Sequence, residues 1–107
     1  MLRMLALLLL PMVAACATTE PSAPAFASDR ISVEARGEGP DVVLIPGLSS
    51  HPQVWESTIA AVPGYRYHLV HVAGFAGKPA GANASGPVVD PVAEEIARYI
   101  REAGIER

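Results

Sequence analysis

The sequence predicts an α/β fold, a mixed sheet flanked by helices with its elements in the order β-β-α-β-α. Three observations carry that expectation. Residues 30–36 alternate apolar and polar side chains, residues 41–46 form an apolar run rich in β-branched side chains, and residues 90–104 repeat apolar side chains at helical spacing. A period that switches from two to about 3.6 along one short chain is what a sheet covered by helices requires, since each element must bury a face against another.

Each element follows from its residues. From Arg30 to Ala35 the apolar Ile31, Val33 and Ala35 alternate with the polar Ser32, Glu34 and Arg36, which reads as a half-buried strand. Gly37-Glu38-Gly39-Pro40 breaks it, and turn chemistry between two apolar runs predicts a hairpin. Asp41 opens a second strand whose Val42-Val43-Leu44-Ile45 run predicts cover on both faces until Pro46-Gly47 ends it. After a polar loop from Leu48 to His51, Pro52 suits the first turn of a helix bearing Val54, Trp55, Ile59 and Val62, stopped by Pro63-Gly64. Tyr65 to Val72 is a third strand, and residues 73–87, rich in Gly and Pro, form a long loop. Asp90-Pro91 then predicts an N-cap and first helical position, with Glu94 and Glu95 complementing the dipole of the first turn. The apolar face of this last helix is Val92, Ile96, Tyr99 and Ile100, and Gly104 is its predicted stop.

The first residues are set apart from this fold. Met1 to Met4 carry one cation, Arg3, and precede the apolar run Leu5 to Ala15, the pattern of a secretory signal. The run is shorter than the ~20 residues a bilayer-spanning helix needs. Val13-Ala14-Ala15-Cys16 follows directly and resembles a bacterial lipobox, in which a lipid is attached to the thiol and cleavage leaves the cysteine as the new N-terminus. That resemblance implies a lipid anchor at Cys16, and Ala17 beside it favours a periplasmic, outer-membrane destination. Ordinary signal cleavage is the alternative, and both Ala15-Cys16-Ala17 and Ala25-Phe26-Ala27 have the required small residues. The division expected is therefore a signal peptide over 1–15, a flexible tether over 16–28 and a folded domain over 29–107.

Composition narrows the function classes. The 107 residues carry 8 Lys and Arg against 11 Asp and Glu, a formal charge of −3 with no basic stripe, which argues against nucleic acid as a partner. The single cysteine leaves no intramolecular disulfide and no cysteine-rich metal site.

Val42-Val43-Leu44-Ile45-Pro46-Gly47-Leu48-Ser49-Ser50 followed by Trp55 resembles the strand, oxyanion loop and helix-start tryptophan of α/β-hydrolases, with Pro46 where that family usually has His. Ala73-Gly74-Phe75-Ala76-Gly77-Lys78-Pro79 resembles the family's glycine-rich loop after the next strand, without its Asp and closing Ser. The stretch from Val88 to Arg107 resembles the helix preceding the strand that ends in G-x-S-x-G. The resemblance covers about residues 29–107 and implies a serine-type hydrolase acting on ester-like small molecules, without a cofactor. It also implies that this chain is the N-terminal portion of the domain, with the Ser, acid and His of the triad beyond Arg107, and inactive alone. What these residues would supply is half of an oxyanion hole: the backbone N–H of Leu48, with Gly47 allowing close approach.

Gly47-Leu48-Ser49-Ser50-His51 is one residue away from G-x-S-x-G, but His51 stands where the strained turn needs a small residue, so Ser49 is read as lining the loop. His68 and His71 lie three apart on a strand and so project to opposite faces, with no third ligand in view for a metal. His71, just before the loop, is a candidate substrate contact. Trp55 reads as packing and Asp90 as a helix cap. Residues 74–78 lack the spacing of a phosphate-binding loop. A reading from another class remains, a lipid-anchored binding or structural protein that keeps the sheet but has no chemistry.

Overall fold

A computed structural model describes residues 25–106. The signal reading of 1–15, the lipidation of Cys16 and the tether up to residue 24 lie outside the described residues.

Strand β1 (Ile31–Arg36), strand β2 (Asp41–Leu44), helix α1 (Glu56–Ala61), strand β3 (Arg66–Val72) and helix α2 (Val89–Glu102) follow in that order. Short 3₁₀ turns at Pro52–Trp55 and Gly81–Ala84 precede α1 and α2. The sheet has the order β1-β3-β2, with β1 antiparallel and β2 parallel to the central β3. The α/β character and the flanking helices expected from the sequence are both present.

The hairpin is not. Instead of pairing with β2, β1 pairs with β3 over its whole length, Ile31 opposite Val72 and Arg36 opposite Tyr67. The 37–40 link crosses the start of β3, where the Arg66 N–H donates to the Pro40 carbonyl at 3.0 Å. At Gly39, with φ of +125°, a Cβ would be driven into the Gly64 carbonyl oxygen. Its turn chemistry serves a crossing rather than a hairpin. The physical reason is burial: Tyr67, His68, Leu69 and Val70 are all buried, so β3 takes the centre, and β2, with Val42 and Val43 only half-buried, lies at the edge.

The strand period sorts the core into two layers. Val70 and Val72 of β3 join Ile31 of β1 and Val92 and Ile96 of α2 on one face, with Val33, Val43 and Ile100 packed around them. Tyr67 and Leu69 join Leu44 on the other, covered by Trp55 and Ile59. Each fully buried aliphatic side chain here contributes about 1.5–3 kcal/mol. Trp55 thus packs as its sequence position implied, although its indole N–H is buried with no acceptor among the described residues.

Helix α2 buries Val92, Ile96 and Tyr99 as the spacing predicts. Its cap differs: the helix begins at Val89 after Val88, with no side-chain cap bond, and Asp90 lies inside the first turn. Pro91 tolerates this place because the first-turn N–H groups have no intrahelical acceptor in any case, and the Asp90 carboxylate still complements the dipole. At the other end Gly104, with φ of +66°, allows the Ile105 N–H to reach the Ile100 carbonyl at 3.1 Å and the Gly104 N–H to reach that of Arg101 at 3.2 Å. This is a Schellman ending, as Gly104 predicted.

The chain ahead of β1 is strapped to α2. Phe26 packs edge-on to Tyr99 with ring centroids 5.1 Å apart, and the Arg98 guanidinium sits 4.3 Å above the Phe26 ring. Arg98 also donates to the Ala27 carbonyl at 2.7 Å and to Glu95 at 2.8 Å. The Arg98 guanidinium, seconded by the Ser28 hydroxyl, holds the Glu95 carboxyl down at about 2.

Candidate functional site

Because β2 and β3 are parallel, the segments leaving them, 45–51 and 73–80, emerge at the same end of the sheet. Ligands in α/β folds gather at such an end, outside the carboxyl ends of the strands.

The first segment is a tight turn. Pro46 is buried just past the end of β2, and the Ser50 N–H donates to the Gly47 carbonyl at 2.8 Å. This leaves Leu48 at the tip, 46% exposed, its N–H without an acceptor among the described residues. Ser49 is exposed on the same turn, and no hydrogen bond joins it to an imidazole among the described residues. His51 closes the turn: its Nδ1 accepts the Gln53 N–H at 3.0 Å and so caps the 3₁₀ turn that leads into α1.

The second segment folds on itself. The Gly74 N–H donates to the carbonyls of Lys78 and Pro79, both at 3.1 Å, and the Lys78 N–H to that of Phe75 at 3.1 Å. Ala76 is held at φ of +49°, a left-handed conformation that costs a non-glycine residue on the order of 1 kcal/mol. Asn83 braces the loop from behind, donating to the Arg30 and Ala73 carbonyls at 3.0 Å each.

Two imidazoles join the segments. His71, at the end of β3, donates from Nε2 to the Phe75 carbonyl at 3.1 Å. Its ring packs against that of His51 with centroids 4.8 Å apart and planes at 67°. His71 was singled out from the sequence and His51 was not, since nothing in the spacing of 51 and 71 announces the contact. Both line a cavity of about 390 Å³ together with Ser32, Glu34, Arg36 and Gln53. In it Arg36 binds both Glu56 oxygens, at 2.7 and 3.1 Å, while its Nε lies 2.8 Å from Glu34 without hydrogen-bond alignment. The bond to Glu56 raises the Arg36 guanidinium and lowers the Glu56 carboxyl.

An apolar hollow of about 290 Å³ lies beside Leu48, lined by Ile45, Pro46, Val72, Val89 and Ile96 among others. Ile45 and Val89 are 50% and 64% exposed, so this side of the β2 edge presents apolar surface.

His68 goes to the other face, as the strand period implied, and enters a network missed in the sequence. Its Nε2–H donates to Asp41 at 2.7 Å, and its Nδ1 accepts the Tyr99 hydroxyl at 2.6 Å. Burial pushes the Tyr99 phenol above its ordinary value, opposed by the charge of Arg66 and reinforced by that of Asp41. The imidazole is 1% exposed, and its bond to Asp41 reaches the amino end of β2 rather than the two loops. Its role is to join β2, β3 and α2. Among the described residues no three His, Cys, Asp or Glu side chains converge as metal ligands, and no helix is long and apolar enough to cross a membrane.

The described residues therefore make a three-layer α/β unit with two loops meeting at the carboxyl ends of parallel strands. The particular likeness is to a hydrolase: a stretch of 73 residues, 67% of the chain, is 36% identical to pimeloyl-[acyl-carrier protein] methyl ester esterase of Aeromonas hydrophila subsp. hydrophila. That match spans 28% of the esterase's length. A stretch so long in a chain of 107 residues must include β2, the 45–51 turn and most of β3. None of the protein-family models matches the chain, and no solved structure matches it.

Proposed function

We propose that these residues form the oxyanion-loop portion of an exported serine-type α/β-hydrolase acting on an ester-like small molecule. The observation that carries this reading is the Leu48 N–H, without an acceptor among the described residues, on a tight turn at the carboxyl end of β2, within a stretch similar to an esterase. A developing oxyanion needs preorganised donors, and Leu48 has the placement for one. In this reading the nucleophile comes from outside residues 1–107, on a strand added at the β2 edge beside the apolar hollow. Ser49 and His71 line the approach to the substrate.

Hydrolysis of p-nitrophenyl acetate tests it. No activity is expected from the 1–107 chain, and activity is expected from a form extended along its reading frame. In the extended form Leu48→Pro, which removes the N–H, lowers kcat by about 10²–10³-fold. Activity in the short chain that Ser49→Ala abolishes would place the nucleophile at Ser49 and sink the proposal.

Export adds a prediction about processing. Cleavage after Ala27 would discard Phe26, which is clamped between Tyr99 and Arg98. We therefore propose maturation upstream, at Cys16, with a lipid on its thiol and an outer-membrane destination. Intact mass of the exported form is expected to correspond to an N-terminus at Cys16 bearing a diacylglyceryl group; a product starting at Ser28 would contradict it.

A further inference from the structure

We propose that His51 and His71 form a proton-operated latch that positions the Gly47–Leu48 turn, engaged only while His51 is neutral. The catalytic meaning of the latch rests on the oxyanion-loop reading above; the latch itself rests on the geometry of the two rings.

The two imidazoles are bonded in opposite senses. His51 uses Nδ1 as an acceptor for the Gln53 N–H, which an imidazolium cannot do, since both its nitrogens then carry protons. His71 uses Nε2–H as a donor to the Phe75 carbonyl, which neutral and protonated rings do equally well. A proton on His71 therefore leaves its own anchor intact, whereas a proton on His51 breaks the cap of the Pro52–Trp55 turn that follows the Gly47–Leu48 turn in the chain. The ring contact joins the two events: at a centroid separation of 4.8 Å, charge on one ring opposes charge on the other.

The surroundings do not offset this. The ionisable groups lining the same cavity are Glu34 and Arg36 from β1 and Glu56 from α1. Arg36 engages both carboxylates, and neither bonds an imidazole among the described residues. Ser32, opposite His71 in the β1–β3 register, and Gln53, the capped residue, carry no charge. Among the described residues no anion is bonded to either ring, and the acceptor bond at His51 Nδ1 is one that only the neutral ring can make. Release of the turn requires only the proton that an imidazole ring can take up.

Histidine-labelled magnetic resonance on the intact protein reads the latch without any assay of activity. The Gln53 amide is expected to shift with the same midpoint as the His51 ring. His71→Asn should raise that midpoint, because a competing charge has gone. His51→Asn, whose side-chain oxygen can accept the same N–H, should make the Gln53 amide insensitive between about pH 5 and 8. A Gln53 amide that ignores the His51 titration, or a midpoint unmoved by His71→Asn, overturns the latch. In the active extended form, His51→Leu should lower kcat by about tenfold or more with little change in KM, and His51→Asn should restore it. If no ester is hydrolysed at all, the hydrolase reading fails while the amide titration still decides the latch.

Discussion

Gly39→Val is expected to leave the protein unfolded or nearly so. Gly39 stands at φ of +125° with the Gly64 carbonyl lying where a side chain would begin, at the crossing that carries the chain over the start of β3. A strained positive φ alone costs about 1–3 kcal/mol. The blocked crossing adds to that, because relief requires moving the link or the start of the central strand. Against a total stability of roughly 5–15 kcal/mol for a small domain, a combined loss above ~3 kcal/mol is a large share, equivalent to a fall in Tm of more than ~12 °C. Gly77→Ala is the control: its φ of +82° is similarly left-handed, but a Cβ there meets nothing within 4 Å, so only about 1 kcal/mol should be lost. Urea unfolding of both variants separates crowding from dihedral strain, and equal losses would show that the crossing is not tightly packed.

His68→Leu is the second large effect, with an expected loss of about 2–3 kcal/mol despite the near match in volume. The imidazole is bonded at both nitrogens, so its removal strips Tyr99 of its acceptor and Asp41 of its donor together. Asp41 retains some access to water, its side chain being 30% exposed, but the Tyr99 residue is only 9% exposed, and its hydroxyl would be left without a partner. Tyr99→Phe, which removes the hydroxyl and leaves only a lone pair unused, should cost about 1 kcal/mol. In the His68→Leu background the same change should cost little or become favourable, and such a double-mutant cycle measures the coupling directly. Additive losses would mean that the three groups do not act as a network.

How much was legible in the sequence depended on whether the signal was local. The strands expected over 30–35 and 65–72 are found at 31–36 and 66–72, these and the apolar face of α2 being patterns local to the chain, and the Gly104 ending rests on one residue's conformational freedom. The hairpin failed because Gly37 to Pro40 uses the same positive-φ chemistry for a tight reversal and for a crossing, and the choice is made by β3, some 25 residues later, as the more buried strand. The Asp90 cap failed for a related reason: helix starts tolerate Pro and Asp at several first-turn positions, so the motif marks the end but not its register. The places of Gly47 and Leu48 on a turn and of His71 at a strand end were legible because strand ends and turns are local. The His51–His71 contact and the Asp41–His68–Tyr99 network join residues 20 to 31 positions apart across different elements, and no spacing rule within one element encodes them.

The strap formed by Phe26 and Arg98 also determines how the domain responds to being pulled. β1 is an edge strand with its amino end at Ile31, so tension applied there would open the β1–β3 ladder one bond at a time, like a zipper. Tension arriving from upstream meets Phe26 first, where a ring contact, a cation above the ring and a backbone hydrogen bond to α2 must slip together before the ladder is loaded. Force on the chain is thereby passed to the helix and its packed face rather than to the weakest direction of the sheet.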